Sequence, residues 1–298
     1  MRIIFIGSVI FSKKILMRLI KKKYNLCGII TKNKSNFNSD FLSLKPISKK
    51  YNIKYLTVQN INTKSTIDWI KKRKPDLILC CGWSQLISKK ILDIPTKLSI
   101  GYHPSDLPFN RGRHPIIWTL ALGLSKTYSS FFVMSERPDS GYLLEKKMVK
   151  IYKQDNSDAL YKRLNHVASN QIVGLIEKLK RNNNIHNYLR KKNKKNKTGN
   201  IWRKRNFRDG LIDWRMSADH ILNLIKALSF PYPNAHMIYK QQIIKVLKAK
   251  ILKNKNLNIE PGKVLKINKK GEFIIKTGKD SLLIKKTKPK IKINDKYL

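Results

Sequence analysis

Short apolar runs alternate with helical patterns through the first half of the chain, and this alternation limits most strongly which fold the chain can form. Apolar residues recur at helical spacing between runs of strand length, as at Ile15, Leu16, Leu19 and Ile20. The strand-like runs are Ile3–Ile6, Leu26–Ile30, Asp76–Cys81 and Leu98–Tyr102. Strands that alternate with helices in this way favour a parallel sheet covered by helices. The sequence therefore predicts an α/β, doubly wound domain.

The pattern changes after a polar segment rich in Lys and Asn at 182–197. One amphipathic helix, Ala218–Leu228, is followed by short strand patterns that are separated by turn residues. Such a series is typical of a small β-barrel. We expect a first domain at 1–181, a basic linker at 182–208 and a small C-terminal β domain at 209–298.

The chain is strongly basic, with 64 Lys and Arg against 18 Asp and Glu and a formal net charge of +46. A field of this strength attracts phosphates, nucleic acid or acidic membrane surfaces. The excess consists mostly of lysine, 51 residues against 13 arginines, and it is spread along the chain. A coding bias explains that distribution equally well, so both interpretations stay open.

Several classes of protein are excluded or disfavoured. Gly7 stands alone after the first strand, so the dinucleotide fingerprint GxGxxG is absent and NAD binding is rejected. The three cysteines, Cys27, Cys80 and Cys81, lie in apolar runs without metal-ligand spacing, which indicates reduced core residues. No signal peptide and no apolar run of membrane-spanning length occurs. We expect a cytoplasmic protein without membrane insertion.

The candidate for chemistry is His103, which follows the strand at Leu98–Tyr102 and opens a loop rich in Pro, Gly and Arg. Asp139 lies in a second loop with Pro and Gly, after a later strand. Ligands of open α/β folds bind where strands end, so both side chains could meet at one edge of the sheet. A carboxylate beside an imidazole orients the ring and suits it to proton transfer.

Other assignments of these residues are weaker. His114 directly precedes Pro115, and we favour a structural role at the start of the following helix. A metal site built from His103, His114 and Asp139 lacks the usual ligand spacing. Ser105 is not part of a G-x-S-x-G elbow, which disfavours a serine hydrolase.

Motifs along nearly the whole chain resemble the folate-dependent formyltransferases. They are the opening Met1–Phe11, the segment Pro75–Ile87, the run from His103 to Pro115 with Asp139–Gly141, and, in the second half, Asp209–Trp214, Pro231–Ala235 and Pro261–Val264. The resemblance implies a Rossmann-like formyltransferase domain followed by an OB-like C-terminal domain, as in methionyl-tRNA formyltransferases and some sugar N-formyltransferases.

The resemblance also implies transfer of a formyl group from 10-formyltetrahydrofolate, as cosubstrate, to a primary amine, with no metal. The catalytic histidine and aspartate of the family match His103 and Asp139: the histidine assists proton transfer and the aspartate holds it in place. The folate-binding positions are then Gly82, Trp83, Ser84, Gln85, Leu86, Arg111, Gly112 and Pro138.

One departure from the family lies next to the catalytic histidine. The family carries Asn two residues before it, where the amide helps to hold the formyl oxygen, and this chain has Gly101. Such a donor contributes about 10²–10³ in rate. Asp106 also replaces an apolar residue of the family. Both changes suggest a divergent branch, and we count Gly101 among the catalytic positions.

Two acceptors are compatible with the motifs. The tRNA enzymes of the family carry a basic, Gly-rich loop after the second strand, whereas Thr31–Phe41 here has no Gly and no Arg. We therefore favour a nucleotide-linked amino sugar of surface polysaccharide synthesis over the methionyl amine of initiator tRNA, although the charge suits tRNA. Formyl-tetrahydrofolate hydrolysis and an impaired folate- or nucleic-acid-binding relic stay open, as does a homodimer.

Overall fold

The computed structural model describes residues 1–35, 38–181 and 199–298, so most of the expected linker lies outside the described residues. The first elements are β1 (Arg2–Ile6), α1 (Ile10–Lys21), β2 (Asn25–Thr31), α2 (Lys45–Lys50), β3 (Tyr55–Thr57), α3 (Lys64–Lys71), β4 (Leu77–Cys80), α4 (Lys89–Leu92) and β5 (Leu98–His103). They are followed by β6 (Arg111–Gly112), α5 (Pro115–Ala121), β7 (Lys126–Val133), β8 (Leu143–Lys150) and α6 (Ser157–Arg181).

Seven of these strands form one sheet in the order β3-β2-β1-β4-β5-β7-β8. The first five are parallel, as the alternation predicts, whereas β7 runs antiparallel to β5. The strand order reverses direction between β1 and β4, which is the topological switch point of a doubly wound sheet. The α/β prediction is thus confirmed, with an antiparallel edge at β7 and β8 that the apolar runs did not reveal.

Branched aliphatic side chains from β1, β2 and β4 form the core of this sheet. Ile4, Ile30 and Ile78 are fully buried within one cluster that also contains residues of α3 and α4. Strands that bury side chains on both faces read as continuous apolar runs, which explains why the sequence located them well. Helix α3 begins at an N-cap, where the Thr63 hydroxyl accepts a bond from the Thr66 N–H.

A second, antiparallel sheet lies in the C-terminal part. The chain continues with β9 (Ile201–Trp202), α7 (Ala218–Ala227), β10 (Ala235–Tyr239), β11 (Gln242–Leu252), β12 (Val264–Ile267), β13 (Phe273–Lys276) and β14 (Ser281–Lys288). Five strands pair in the order β10-β11-β14-β13-β12. A separate antiparallel sheet is therefore confirmed, and its OB-like character stays a prediction.

The described chain forms two compact units that are discontinuous in sequence. One consists of the described residues within 1–115, 127–150 and 162–202, and the other of 116–126, 151–161 and 203–298. The sequence does not indicate that the short stretches 116–126 and 151–161 belong to the second unit, because the helical and strand patterns continue through them without a break. Helix α2 and the short parallel pair β6–β9 were also not visible as patterns.

Candidate active site

The candidate site lies at the carboxyl edge of the first sheet. Strand β5 ends at His103, and it is the neighbour of β4, which leads into Gly82. The carboxyl ends of β1, β4 and β5 therefore meet at the switch point, where open α/β sheets bind ligands. His103 is the last residue of β5 and therefore lies at this edge.

His103 is a buried histidine whose two ring nitrogens both face oxygen atoms. Only 6% of its surface is exposed. Its Nδ1 lies 3.6 Å from Oδ1 of Asp139, and its Nε2 lies 3.2 Å from the carbonyl oxygen of Asn110. The Asn110 carbonyl thus accepts from Nε2, and the Asp139 carboxylate opposes Nδ1 at ion-pair distance, so the two oxygens together fix the orientation of the ring. The structure brings together the two side chains that the sequence placed in separate loops.

Asp139 is fixed by a main-chain bond as well as by its position. Its second oxygen, Oδ2, accepts a hydrogen bond of 3.1 Å from the N–H of Gly112. The backbone of Asp139 is left-handed, with φ 52°, and that of Gly112 has φ 96°. A Cβ at Gly112 would lie 2.3 Å from the Trp202 carbonyl oxygen, so only glycine fits. The loop therefore presents its N–H to the carboxylate.

Gly101 lies opposite Phe132 in the antiparallel pair of β5 and β7. A Cβ at this position would lie 2.7 Å from Cζ of Phe132 and 3.1 Å from Cγ of Met134. The space that a side chain at 101 requires is thus filled by two apolar side chains. An amide side chain at position 101 is therefore absent from the sequence, and it would also clash with Phe132 and Met134.

The predicted folate segment, Gly82–Leu86, is anchored along its length. Gly82 has φ 73°, and a Cβ there would lie 2.3 Å from Cγ2 of Val9. The Gln85 amide donates to the Gln59 carbonyl at 2.8 Å. The Leu86 carbonyl accepts a hydrogen bond from the side-chain amide of Asn62, whereas the residue itself is 63% exposed. The segment therefore combines a fixed backbone with an uncovered apolar side chain.

Arg113 is a site residue that the prediction of binding positions missed. Its guanidinium donates to the Ser84 carbonyl at 3.2 Å and so links the His103 loop to the Gly82–Leu86 segment. Burial lowers the pKa of Arg113. The predicted residue, Arg111, instead donates to the Gly199 carbonyl at 3.2 Å. Arg111 and Arg113 lie on either side of Gly112. The left-handed backbone of Gly112 determines which of the two guanidinium groups faces the Gly82–Leu86 segment.

The remaining candidates lie as follows. Pro138 is exposed, and His114 directly precedes α5 with a left-handed φ of 56°. The Ser105 hydroxyl donates to the Phe109 carbonyl at 3.2 Å. Burial raises the pKa of the Cys80 thiol to about 12, which disfavours thiolate chemistry.

Two absences hold for residues 1–35, 38–181 and 199–298. In these ranges no three His, Cys, Asp or Glu side chains are grouped to hold a metal ion. The same ranges contain no helix that is long and apolar enough to cross a bilayer.

Two family models match the chain. The model described as formyl transferase matches residues 1–176, and the model described as formyl transferase, C-terminal domain, matches residues 206–295. The methionyl-tRNA formyltransferase of Prochlorococcus marinus (strain MIT 9515) is 32% identical over 305 residues, with 97% of this chain and 92% of that protein covered.

Two solved structures share the fold. The N-formyltransferase of Helicobacter canadensis, in complex with folinic acid and dTDP-3-aminofucose, has a TM-score of 0.67 at 14% identity, covering 95% of this chain and 98% of its own. The methionyl-tRNA formyltransferase of Clostridium thermocellum has a TM-score of 0.60 at 19% identity, covering 86% of this chain and 95% of its own.

Proposed function

Since the chain belongs to the formyl transferase family and is a folate-dependent formyltransferase, we propose that its acceptor is the amino group of a nucleotide-linked amino sugar. We further propose that His103 transfers the protons of the reaction and that Asp139 positions it. The 3.6 Å approach of these two side chains at the carboxyl edge of the sheet carries the proposed roles of His103 and Asp139.

The donor, 10-formyltetrahydrofolate, supplies a formyl group on nitrogen. The acceptor amine must lose a proton as it takes up this group, and the released nitrogen must gain one. Once the substrate has displaced the Asn110 carbonyl, a neutral ring that carries its proton on Nδ1, opposite Asp139, can accept the first proton at Nε2 and return it from the same atom. One buried histidine with an oriented ring therefore performs both transfers.

The Asn110 carbonyl occupies the position next to Nε2 of His103 that the reacting group needs. It accepts from Nε2 of His103 at 3.2 Å, and Asn110 has a left-handed φ of 59°. A reacting group must displace this bond in order to reach Nε2. The carbonyl thereby keeps the ring oriented and satisfied before the substrates bind.

The Gly82–Leu86 segment suits a flat, largely apolar ring system that carries polar edges. Leu86 offers an uncovered apolar side chain, and main-chain groups of a fixed loop lie beside it. Sites for such molecules are mostly apolar, with a few well-placed polar groups. Trp83, Ser84 and Gln85 belong to this segment and would contact the folate. Gly112 and Pro138, in the loops that precede and include Asp139 and its partner, would contact it from the other side.

The connection after β2 favours a small acceptor. Its described ends are tied to the turn between β1 and α1: the Leu42 N–H donates to the Ser8 carbonyl and the Ile10 N–H to the Asp40 carbonyl, both at 3.0 Å. In sequence, the connection is also shorter than the loop of the family's tRNA enzymes and contains no arginine. The Helicobacter canadensis relative was solved with a nucleotide-linked amino sugar.

Initiator methionyl-tRNA is the second candidate acceptor. The 32% identity to a methionyl-tRNA formyltransferase over 97% of this chain favours it, and so does the net charge of +46. Binding to tRNA through phosphates would weaken steeply with salt, whereas binding of a small nucleotide would change much less.

The test is a direct comparison of acceptors. The purified protein is incubated with 10-formyltetrahydrofolate and either dTDP-3-aminofucose or methionyl-tRNA, and the N-formyl product is measured by mass spectrometry. We expect product from the sugar nucleotide. Product from methionyl-tRNA alone would transfer the proposal to the second candidate, and no product from any amine, with folate binding retained, would indicate an impaired enzyme.

A further inference from the structure

Two isoleucines lie uncovered side by side on the C-terminal sheet. Ile238 of β10 and Ile243 of β11 are direct partners across the antiparallel pair, and they are 54% and 49% exposed. Partners across such a pair point to the same face of the sheet, so the two side chains form one aliphatic surface. Single exposed apolar residues are common in folded proteins, whereas contiguous exposed patches mark interaction sites.

Phe207 extends this surface along β10. His236 precedes Ile238 by two residues and therefore shares its face. The rings of Phe207 and His236 are in contact, with 4.2 Å between their centres, and His236 is buried whereas Phe207 is 58% exposed. Burial lowers the pKa of His236, so this ring is uncharged at neutral pH. Phe207, Ile238 and Ile243 thus form an apolar, uncharged surface, the Ile238–Ile243 patch.

Exposed lysines border the patch on the side of β14. Lys245 follows Ile243 by two residues and so lies on the same face. Lys288 is the direct partner of Lys245, and Lys286 is that of Lys248; all four are exposed. Strands β10, β11 and β14 contain no Asp or Glu, and within the described ranges none of the four lysines forms an ion pair. Like charges directly opposite each other destabilise a sheet, so these pairs do not serve the fold.

Lysine is abundant along the whole chain, so charge alone marks no site. Here the lysines border exposed aliphatic side chains. An anionic lipid surface takes apolar side chains into its interface and attracts lysines to its headgroups. We propose that the Ile238–Ile243 patch, together with Lys245 and Lys288, is a docking surface for an anionic lipid bilayer. The sheet would lie on the bilayer and not cross it, whichever acceptor the enzyme uses.

Two other partners fit this surface less well. Nucleic acid is held through its phosphates and by stacking of bases on aromatic rings, which leaves the two exposed isoleucines without a role. A second copy of the chain, docked symmetrically, would present the same patch from both sides. The lysines of the two copies would then lie close together without an acidic partner from β10, β11 or β14.

Co-sedimentation of the full-length protein with vesicles tests the surface. Vesicles of phosphatidylcholine alone are compared with vesicles that contain one third phosphatidylglycerol, and we expect binding to the anionic vesicles that weakens with salt. Ile238→Thr with Ile243→Thr keeps β-branched side chains in the strands and removes apolar surface, so it should weaken binding about tenfold or more. Lys245→Gln with Lys288→Gln should weaken it by about tenfold as well.

Matched controls lie on the same sheet. Ile267→Thr replaces an isoleucine of β12, at the other edge, that is 45% exposed. Lys269→Gln with Lys270→Gln replaces two exposed lysines that follow this strand. Neither control should change vesicle binding. Because Lys245→Gln with Lys288→Gln removes opposed like charges, it should unfold at the wild-type temperature or above, so its weaker binding would not reflect loss of the fold.

Other results would overturn the inference. Wild type that does not sediment with anionic vesicles would refute it, and so would controls that weaken binding as much as the patch variants. Weaker binding of a single-stranded oligonucleotide by Ile238→Thr with Ile243→Thr, with vesicle binding unchanged, would assign the patch to nucleic acid. A wild-type dimer in sedimentation velocity that the same variant dissociates, without vesicle binding, would assign it to a second copy.

Discussion

The ring of Phe132 occupies the space that a side chain at Gly101 would need. A Cβ built on Gly101 would lie 2.7 Å from Cζ and 3.0 Å from Cε1 of this ring, which is itself 5% exposed. The two residues are direct partners across β5 and β7. An amide at position 101 therefore requires the ring of Phe132 to shift or to be replaced, so we expect the two positions to be coupled.

Substitution of Gly101 is expected to destabilise the protein. Gly101→Ala should lower the free energy of unfolding by about 1–3 kcal/mol because the core is overpacked, and Gly101→Asn should do so as well. Gly101→Asn should thus fail to raise the rate alone, and Phe132→Ala should relieve the clash. Urea unfolding measures this. Gly174→Ala, in helix α6 with nothing within 4 Å, is the control and should stabilise by about 0.5–1 kcal/mol.

Asp106, which replaces an apolar residue of the family, forms an ion pair with Lys146. The Lys146 ammonium also donates to the Leu107 carbonyl at 3.0 Å and lies 4.4 Å from the centre of the Tyr128 ring. Because the pair is partly exposed, Lys146→Met should cost about 1 kcal/mol. It should also lower kcat, since the same loop carries the Asn110 carbonyl that orients His103.

A double-mutant cycle checks this role of Lys146. Asp106→Leu with Lys146→Met should cost less than the sum of the single substitutions, because no unpaired charge remains. Additive effects would show that the pair is not coupled. Lys147→Met, at the exposed neighbouring residue, should change neither stability nor kcat.

Asp209 should make stability depend on pH in the acid range. Hydrogen bonding to Arg203, with Nη1 of Arg203 2.8 Å from Oδ2, lowers the pKa of Asp209 to about 2. An unfolded aspartate titrates near about 3.9, so this stabilisation is complete above that value and is lost as pH falls from about 4 to about 2. Because Arg203 is exposed, solvent screening keeps this stabilisation small.

Urea unfolding at pH 6 and pH 3 measures this contribution. The difference in stability between wild type and Arg203→Met should shrink at the lower pH. Arg208→Met, at an exposed arginine, should show the same difference at both values. A difference for Arg203→Met that is independent of pH would contradict the role of the pair.

Asp139→Asn should lower kcat by about 10²–10⁴ and leave the KM for 10-formyltetrahydrofolate nearly unchanged. The amide can still accept from the Gly112 N–H, so the loop stays in place, but the carboxylate opposite Nδ1 of His103 is lost. Asp93→Asn, at an exposed surface pair, is the control, and an equal effect there would contradict a positioning role for Asp139.

The sequence predicts those parts of the fold and site that depend on local pattern. The apolar runs correctly predicted the positions of β1, β4 and β5. The Pro and Gly residues around His103 and Asp139 correctly predicted that both lie in loops. The sequence could not predict which arginine faces Ser84, because that depends on the backbone of Gly112. It also could not predict that Phe132 covers Gly101, since this contact depends on the antiparallel register of β7.

The rate of formyl transfer by His103→Ala tests the central claim most directly. Wild type, His103→Ala and the exposed-site control His166→Ala are assayed with 10-formyltetrahydrofolate and the amino-sugar nucleotide, after calorimetry has established that each binds folate. Loss of proton transfer predicts a fall of about 10²–10⁴ for His103→Ala and no change for His166→Ala. Transfer by His103→Ala at the wild-type rate would contradict the assignment of His103.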